Sequence, residues 1–229
     1  MHIPRGTISG WRLLAACATA SLSLSACTIL PSALLNDAVC SAPCWAGITP
    51  GTTTRSQAIS LLESSDAVAA SSIIETQIDE HTGYVSWLFR PGSKEVGGRL
   101  FYDGEGVTVL RFLVEDHLSF GELSDHFGPP DQVSAIVGMA DSRWLSVTLV
   151  YSDRGIAARH FDSDPRILAG SVVVNRDMGV VEMSYFDPNM LDSLLAAGML
   201  IRERYDLIQQ SLSEWSGFSE VPYVDETPE

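Results

Sequence analysis

The fold is decided by residues 98–114, which read GRLFYDGEGVTVLRFLV. Two runs rich in β-branched and aromatic residues, 98–102 and 107–114, flank the segment Asp103-Gly104-Glu105-Gly106. Glycine accepts the positive φ that tight hairpin turns require, so this stretch predicts two antiparallel strands joined by a short turn. An antiparallel sheet is therefore the expected framework of the protein.

A short helix and two further strands are predicted before this hairpin. Thr52 or Thr53 is placed to cap a helix whose apolar residues lie between positions 58 and 62. The segments 72–78 and 83–90 have the composition of strands. The first half of the protein is therefore expected to be a helix followed by an antiparallel meander.

The same order of elements is predicted a second time. Ser119 and Glu122 stand at capping-box spacing, which indicates a helix over 119–127, and Gly128-Pro129-Pro130-Asp131 ends it. The two helix-plus-meander segments recur at a period of about 65 to 70 residues. The strands predicted after the second helix are 132–137, 143–151, 155–160, 170–175 and 180–186.

The C-terminal region is expected to be helical. Asp187 can cap a helix, Pro188 suits its first position, and apolar residues recur at helical spacing up to Trp215. The acidic end, 224–229, is expected to fray. The predicted fold is α+β: an antiparallel sheet built from two helix-plus-meander units, with a C-terminal helix.

These predictions divide the chain into five parts. The divisions are a lipoprotein signal peptide over 1–26, a lipidated tether over 27–42, a first α+β unit over 43–116, a second α+β unit over 117–186, and a C-terminal helix with an acidic tail over 187–229.

The N-terminus has the features of an export signal. Arg5 and Arg12 precede the uncharged apolar run 13–24, and no acidic residue occurs before Asp37. A spanning helix needs roughly 20 apolar residues, so the run is too short to be one. A basic segment, an apolar core of this length and small residues before the cut are typical of a secretory signal.

Cys27 directly follows Leu24-Ser25-Ala26, and this arrangement resembles the signal of bacterial lipoproteins. The resemblance implies cleavage before Cys27 and a diacylglycerol thioether on its sulfur. Because position 28 is threonine rather than aspartate, it further implies the outer membrane in a two-membrane cell, or the outer face of the plasma membrane in a one-membrane cell. The alternative is an ordinary secretory signal with a chance cysteine.

The charge of the protein argues against two classes of partner. The chain has 14 basic and 29 acidic residues, a net charge of −15. Cleavage removes Arg5 and Arg12 and no acid, so 29 acids then face 12 bases, a net −17. Nucleic acid and anionic headgroups repel such a protein. We therefore expect no nucleic-acid partner, and membrane attachment through the lipid on Cys27.

Cys40 and Cys44 are the cysteines that remain after export and lipidation. In an oxidising compartment two cysteines this close are most simply a disulfide. A redox or metal pair is the alternative. Redox pairs usually have two residues between the sulfurs, whereas three residues separate these.

No catalytic or metal-binding motif is found in the sequence. The histidines lack the spacing of zinc sites, no Gly-x-Ser-x-Gly occurs, and no phosphate loop or dinucleotide fingerprint is present. We expect no metal and no cofactor. The four tryptophans that remain after signal cleavage can form either core or a stacking surface, and Trp87 and Trp144, one in each unit, are expected to be core anchors in equivalent strands. The other two are Trp45 and Trp215, and the four histidines that remain are His81, His117, His126 and His160.

Two short segments carry a family resemblance. Residues 43–52, read with the helix over 55–62, resemble a segment of uncharacterised bacterial envelope lipoproteins. More distantly, Gly51-Thr52-Thr53 and the Phe-Gly-Pro-Pro-Asp run ending at Asp131 look like parts of the SmpA/OmlA (BamE) type of outer-membrane-assembly lipoprotein. Two such units in tandem resemble β-lactamase inhibitor protein, which implies inhibition as one role. These matches carry over no catalytic residue.

The function predicted from the sequence is a lipid-anchored envelope protein without catalysis of its own. Its soluble domain is expected to be a protein-binding or scaffold module with an envelope protein as partner. The sheet face opposite the helices is the expected contact surface. The alternatives are an extracytoplasmic hydrolase that uses carboxylates, and a ligand- or cell-wall-binding module.

Overall fold

The computed structural model describes residues 33–35, 40–93, 95–115, 118–139, 142–163, 165, 167, 170–196 and 205–226. The signal peptide predicted over 1–26 and the predicted lipidation site Cys27 lie outside these residues. Within the described part of the chain, no helix is long and apolar enough to cross a membrane.

Ten strands of the described residues form one mixed sheet, and two more form a small separate ladder. In chain order the strands are β1 (Ile74–Gln77), β2 (Thr82–Leu88), β3 (Glu95–Asp103), β4 (Gly106–Val114), β5 (Gln132–Met139), β6 (Arg143–Tyr151), β7 (Ile156–Asp162), β8 (Ser171–Val173), β9 (Glu182–Phe186), β10 (Leu212–Glu214), β11 (Glu220–Pro222) and β12 (Val224–Glu226). The large sheet has the order β1-β2-β3-β4-β9-β7-β6-β5-β10, with β12 also paired to β5, and β8 pairs with β11.

Four short α-helices accompany the strands in the part of the chain that the structure describes. They are α1 (Arg55–Ser64), α2 (Phe120–Phe127), α3 (Leu191–Ala196) and α4 (Tyr205–Ser211). The predicted capping box at Ser119 and Glu122 is confirmed at the start of α2. The first helix is capped by Thr54 rather than by Thr52 or Thr53, in a second capping box closed by Gln57.

The predicted fold class is wrong. The protein is mostly strand, and its dominant element is one large mixed sheet, not an antiparallel sheet built from two helix-plus-meander units. The sheet is mixed because β12 runs parallel to β5, with Val224 opposite Ile136. Of the segment predicted to fray, the described residues 224–226 form a strand, because the edge of β5 offers backbone donors and acceptors to pair with.

The predicted C-terminal helix does not extend to Trp215. In the described residues after Phe186 the chain forms a 3₁₀ turn (Pro188–Met190), α3 and α4, and it then supplies β10, β11 and β12. Leu212 is the first residue of β10 and lies opposite Ser134 of β5. Tertiary pairing with the sheet thus overrides the helical spacing of the apolar residues over 212–215.

The sheet separates two clusters of buried apolar side chains. One face, the helix face, packs against α1 and α2 and contains Trp45, Trp87 and Phe112. The opposite face, the groove face, packs in part against α3 and α4 through Val109 and Phe186. Side chains alternate between the two faces along each strand, and residues directly opposite each other on neighbouring strands share a face. The strand register therefore assigns each residue to one face of the sheet.

Candidate functional site

A groove of about 280 Å³ lies on the groove face and crosses the middle of the sheet. It opens on the part of this face toward β2 and β3, away from the side chains that α3 and α4 cover. The described residues that line it are Ser86, Trp87, Leu88, Val96, Gly97, Gly98, Arg99, Arg111, Leu113, Arg159 and Glu182.

The apolar end of the groove is a slot with a glycine floor. Gly97 lies opposite Leu88 on one side and opposite Leu113 on the other. Adjacent strands are about 4.8 Å apart, so the two leucine backbones stand roughly 10 Å from each other. The Leu88 side chain leans over Gly97, with Cδ2 3.4 Å from the point that a Cβ of Gly97 would occupy. A Cβ at position 97 would come within 2.8 Å of the Trp87 carbonyl oxygen, which explains the glycine. Leu88 and Leu113 are 55% and 51% exposed.

The polar end of the groove is the next row of the same face. Ser86, Arg99 and Arg111 lie opposite one another on β2, β3 and β4. This row stands about 7 Å along the strands from the leucine row, since alternate residues share a face. Apolar walls and guanidinium groups therefore meet within one small groove.

Arg99 is held by aromatic rings rather than by an acid. Its guanidinium carbon lies 4.4 Å from the centre of the Tyr84 ring and 5.9 Å from that of Phe101. Such cation–π contacts fix the orientation of the guanidinium and leave its N–H edge available to a ligand. Among the residues that the structure describes, no carboxylate forms an ion pair with Arg99.

Glu182 organises the two other arginines of the groove. Its carboxylate oxygens lie 3.4 Å from Nε of Arg111 and 3.3 Å from a terminal nitrogen of Arg159. The Glu182 side chain is only 4% exposed and that of Arg111 9%. Burying these charges is costly unless they are paired, and the carboxylate of Glu182 is one group that pairs with Arg111 in the sheet face.

The lining of the groove suits an anion. Its described residues include three arginines and one glutamate, in a protein whose net charge is −15. The planar guanidinium presents N–H donors in a fork that matches a carboxylate or phosphate. Among the described residues, no group of three histidine, cysteine, aspartate or glutamate side chains is arranged to hold a metal ion.

The cysteines predicted to form a disulfide lie together. Cys40 and Cys44 are at disulfide distance, with their Cα atoms 5.6 Å apart. The turn that follows places Trp45 in the core, where it stacks on Trp87 with ring centres 5.7 Å apart. The cysteine pair therefore precedes a residue that connects the N-terminal segment to the sheet.

The tryptophans have different environments. Trp87 is 2% exposed, which confirms it as a core residue. Trp144 is half-buried on the opposite face and stacks on Phe161 at 5.9 Å, so the predicted equivalence of these two tryptophans is wrong. Trp215 follows β10 and packs edge-on against Phe218 at 5.1 Å. Within the described lining of the groove, Trp87 is the one tryptophan present.

The histidines lie apart from the groove. His81 and His126 are exposed, and His160 is half-buried with Nδ1 2.7 Å from the carbonyl oxygen of Gly179. His117 lies outside the described residues. None of the three described histidines belongs to the groove lining.

The groove residues were missed by reasoning from the sequence. The signal that points to them is charge inside strongly apolar strands. Arg111 interrupts the run 107–114, and Glu182 begins a strand that is buried throughout. Two adjacent glycines in β3, Gly97 and Gly98, mark the place where side chains are absent from the sheet surface.

Comparisons with models of protein families, with curated proteins and with solved structures give no match.

Proposed function

We propose that this protein is a lipid-anchored envelope protein whose folded part is a binding module, with the groove as its binding site. The export signal and Cys27 support the anchor, and attachment by lipid places the module outside the cytoplasm. The module holds its ligand without catalysing a reaction. In this proposal Cys40 and Cys44 form a disulfide in the exported protein.

The observation that carries the binding function is the groove itself. It combines exposed apolar walls, at Leu88 and Leu113, with the Arg99 guanidinium that no described carboxylate neutralises. Concave sites with apolar walls and a few placed polar groups are typical of ligand binding. The geometry thus favours ligand binding over a purely structural scaffold.

The hydrolase alternative finds less support in the groove. Glycoside hydrolysis needs two carboxyl groups that flank the scissile bond. Among the described lining residues, Glu182 is the one carboxylate, and it is paired with Arg111 and Arg159. Its role in the proposal is to position the arginines.

Photo-crosslinking tests the binding function without knowledge of the ligand. A benzophenone amino acid replaces Leu88 in the groove in one variant and Met139 in a control variant. Met139 is 63% exposed, which is comparable to Leu88, but it lies outside the groove lining. Irradiation of cells should give an adduct of defined mass on the Leu88 variant and none on the Met139 variant. Equal labelling of both, or no adduct at Leu88, would contradict the proposal.

A protein partner is the second candidate, and it is favoured by a different observation. β1 is the edge strand of the large sheet, and Ile74 and the adjacent Ile78 are 61% and 64% exposed. An extended segment of a partner protein can pair with an edge strand of this kind. Replacing Gln77 of β1 with proline removes a backbone donor that points away from β2 and should abolish such a complex. Retention of a co-purifying envelope protein by the Gln77→Pro variant would rule out this mode.

A further inference from the structure

We infer that the ligand of the groove is a small monocarboxylate with an apolar chain. The inference rests on the proposed binding function and specifies its ligand. The carboxylate lies against Arg99, and the chain lies along the apolar end of the groove at Leu88 and Leu113.

The row of Ser86, Arg99 and Arg111 supports an anion at the polar end. Arg99 and Arg111 are directly opposite each other on neighbouring strands of the same face. Arg111 is paired with Glu182 of β9, whereas no described carboxylate forms an ion pair with Arg99. Arg99 is therefore the cation with which a ligand's carboxylate pairs.

The position of Arg99 makes it the recognition group. Tyr84 and Phe101 contact its guanidinium through their rings and supply it with no hydrogen-bonded anion. A guanidinium held in this way loses little freedom when it binds, and its fork donates two parallel hydrogen bonds to a carboxylate. A neutral head group makes neither the charge interaction nor the paired bonds.

The apolar end of the groove suits an apolar chain. Leu88 and Leu113 flank Gly97. The Leu88 side chain leans over the glycine, with Cδ2 3.4 Å from the point that a Cβ of Gly97 would occupy. Contact with the chain covers apolar surface of both leucines, which are otherwise half exposed to water.

The volume of the groove sets the size of the ligand. A water molecule occupies about 30 Å³ in the liquid, so 280 Å³ corresponds to roughly nine waters or about ten non-hydrogen atoms. Octanoate has about this size and is the probe of choice. Ligands this small reach dissociation constants on the order of 0.1 to 1 mM.

Isothermal titration of the full-length lipidated protein in a matched non-ionic detergent tests the inference. Octanoate should bind with a dissociation constant on the order of 0.1 to 1 mM, and octanamide and acetate should bind at least about 10-fold more weakly. Octanamide has the same chain without the charge, and acetate has the charge without the chain. Equal affinity for octanoate and either of these compounds would overturn the assignment.

Variants with matched controls locate the two ends of the site. Arg99→Gln should weaken octanoate binding by at least about 10-fold, whereas Arg143→Gln, an exposed arginine outside the groove lining, should leave it unchanged. Leu113→Ser should weaken binding about 3- to 10-fold, and Met139→Ser should not. If Arg99→Gln fails to fold, Arg99→Lys keeps the charge but not the fork, and should still weaken binding measurably. Unchanged binding in folded Arg99 and Leu113 variants would refute the inference.

The failure of this inference and the failure of the proposed function give different results. If octanoate does not bind at about 10 mM but the photo-crosslinker at Leu88 still captures a molecule, the ligand class is wrong and the binding function stands. If neither octanoate binding nor an adduct at Leu88 is observed, both are wrong.

Discussion

Replacing Trp87 with alanine should lower the free energy of unfolding by about 3 to 5 kcal/mol. The indole is 2% exposed and is surrounded by aromatic rings: it stacks on Trp45 at 5.7 Å and meets Phe112 edge-on at 6.2 Å. Its ring also covers Gly98, the residue opposite it on β3, where a Cβ would come within 2.1 Å of the indole. Gly98 has no side chain to fill the space that the substitution leaves.

The magnitude follows from the buried area. A tryptophan side chain buries on the order of 150 to 250 Å², and at about 25 cal/mol per Å² this corresponds to roughly 4 to 6 kcal/mol. Because the unfolded chain already buries part of that area, the expected loss is somewhat smaller than this upper estimate. Trp144 is the matched control, since it is also a strand tryptophan opposite a glycine, Gly138, but it is half-buried. Trp144→Ala should cost about 1 to 2 kcal/mol.

Urea denaturation followed by far-UV circular dichroism measures both losses without relying on tryptophan fluorescence. The order of the two losses tests the packing of the helix face. A loss for Trp87→Ala that is no larger than that for Trp144→Ala would refute the reasoning.

Three further predictions concern other parts of the molecule. Glu182→Gln should destabilise the protein by about 3 to 5 kcal/mol, because two largely buried arginines lose their shared carboxylate, and a loss below about 1 kcal/mol in urea denaturation would contradict this. Hydrogen bonds from Thr82 and His81 lower the pKa of Asp79 to about 2, so its stabilising effect is complete above the unfolded pKa near 4 and is lost as the pH falls toward 2. The difference in Tm between the natural protein and Asp79→Asn should therefore shrink as the pH is lowered from about 5 to 3, and a difference that grows would be inconsistent with it. Replacing both Cys40 and Cys44 with serine should cost at most about 2 to 3 kcal/mol because the loop between them is short, and free thiols in protein isolated from the envelope would exclude the bridge.

Local structure was the part of the fold that the sequence predicted well. The turn over 103–106 joins β3 and β4 as expected, and β6 occupies the predicted segment 143–151. In both places short-range chemistry decides the structure, through glycine in the turn and alternating β-branched residues in the strand.

The arrangement of the sheet could not be read from the same patterns. β9 is inserted between β4 and β7, and β12 joins the edge of β5 in parallel, which makes the sheet mixed. Both pairings join segments far apart in the sequence, so no local period specifies them. Leu212 illustrates the limit: its spacing from Ile208 fits a helix, but it begins a strand because β5 is available to pair with it.

Local sequence patterns do not predict the groove either. Arg99, Arg111 and Glu182 come from three strands, and their proximity depends on the register of β3, β4 and β9. The sequence shows each of them only as a charged residue in an apolar strand. Only the shared face of the sheet shows that they line the same groove.

The NMR signal of the Arg99 side chain tests most directly whether the groove is the binding site. The Nε–Hε cross-peak of Arg99 is assigned by its loss in Arg99→Gln, and octanoate is then titrated into the full-length protein. We predict that the chemical shift of this cross-peak changes in a saturable manner as octanoate is added, and that octanamide does not change it. An Arg99 signal that does not move while octanoate binds elsewhere would contradict the claim that the groove is the binding site.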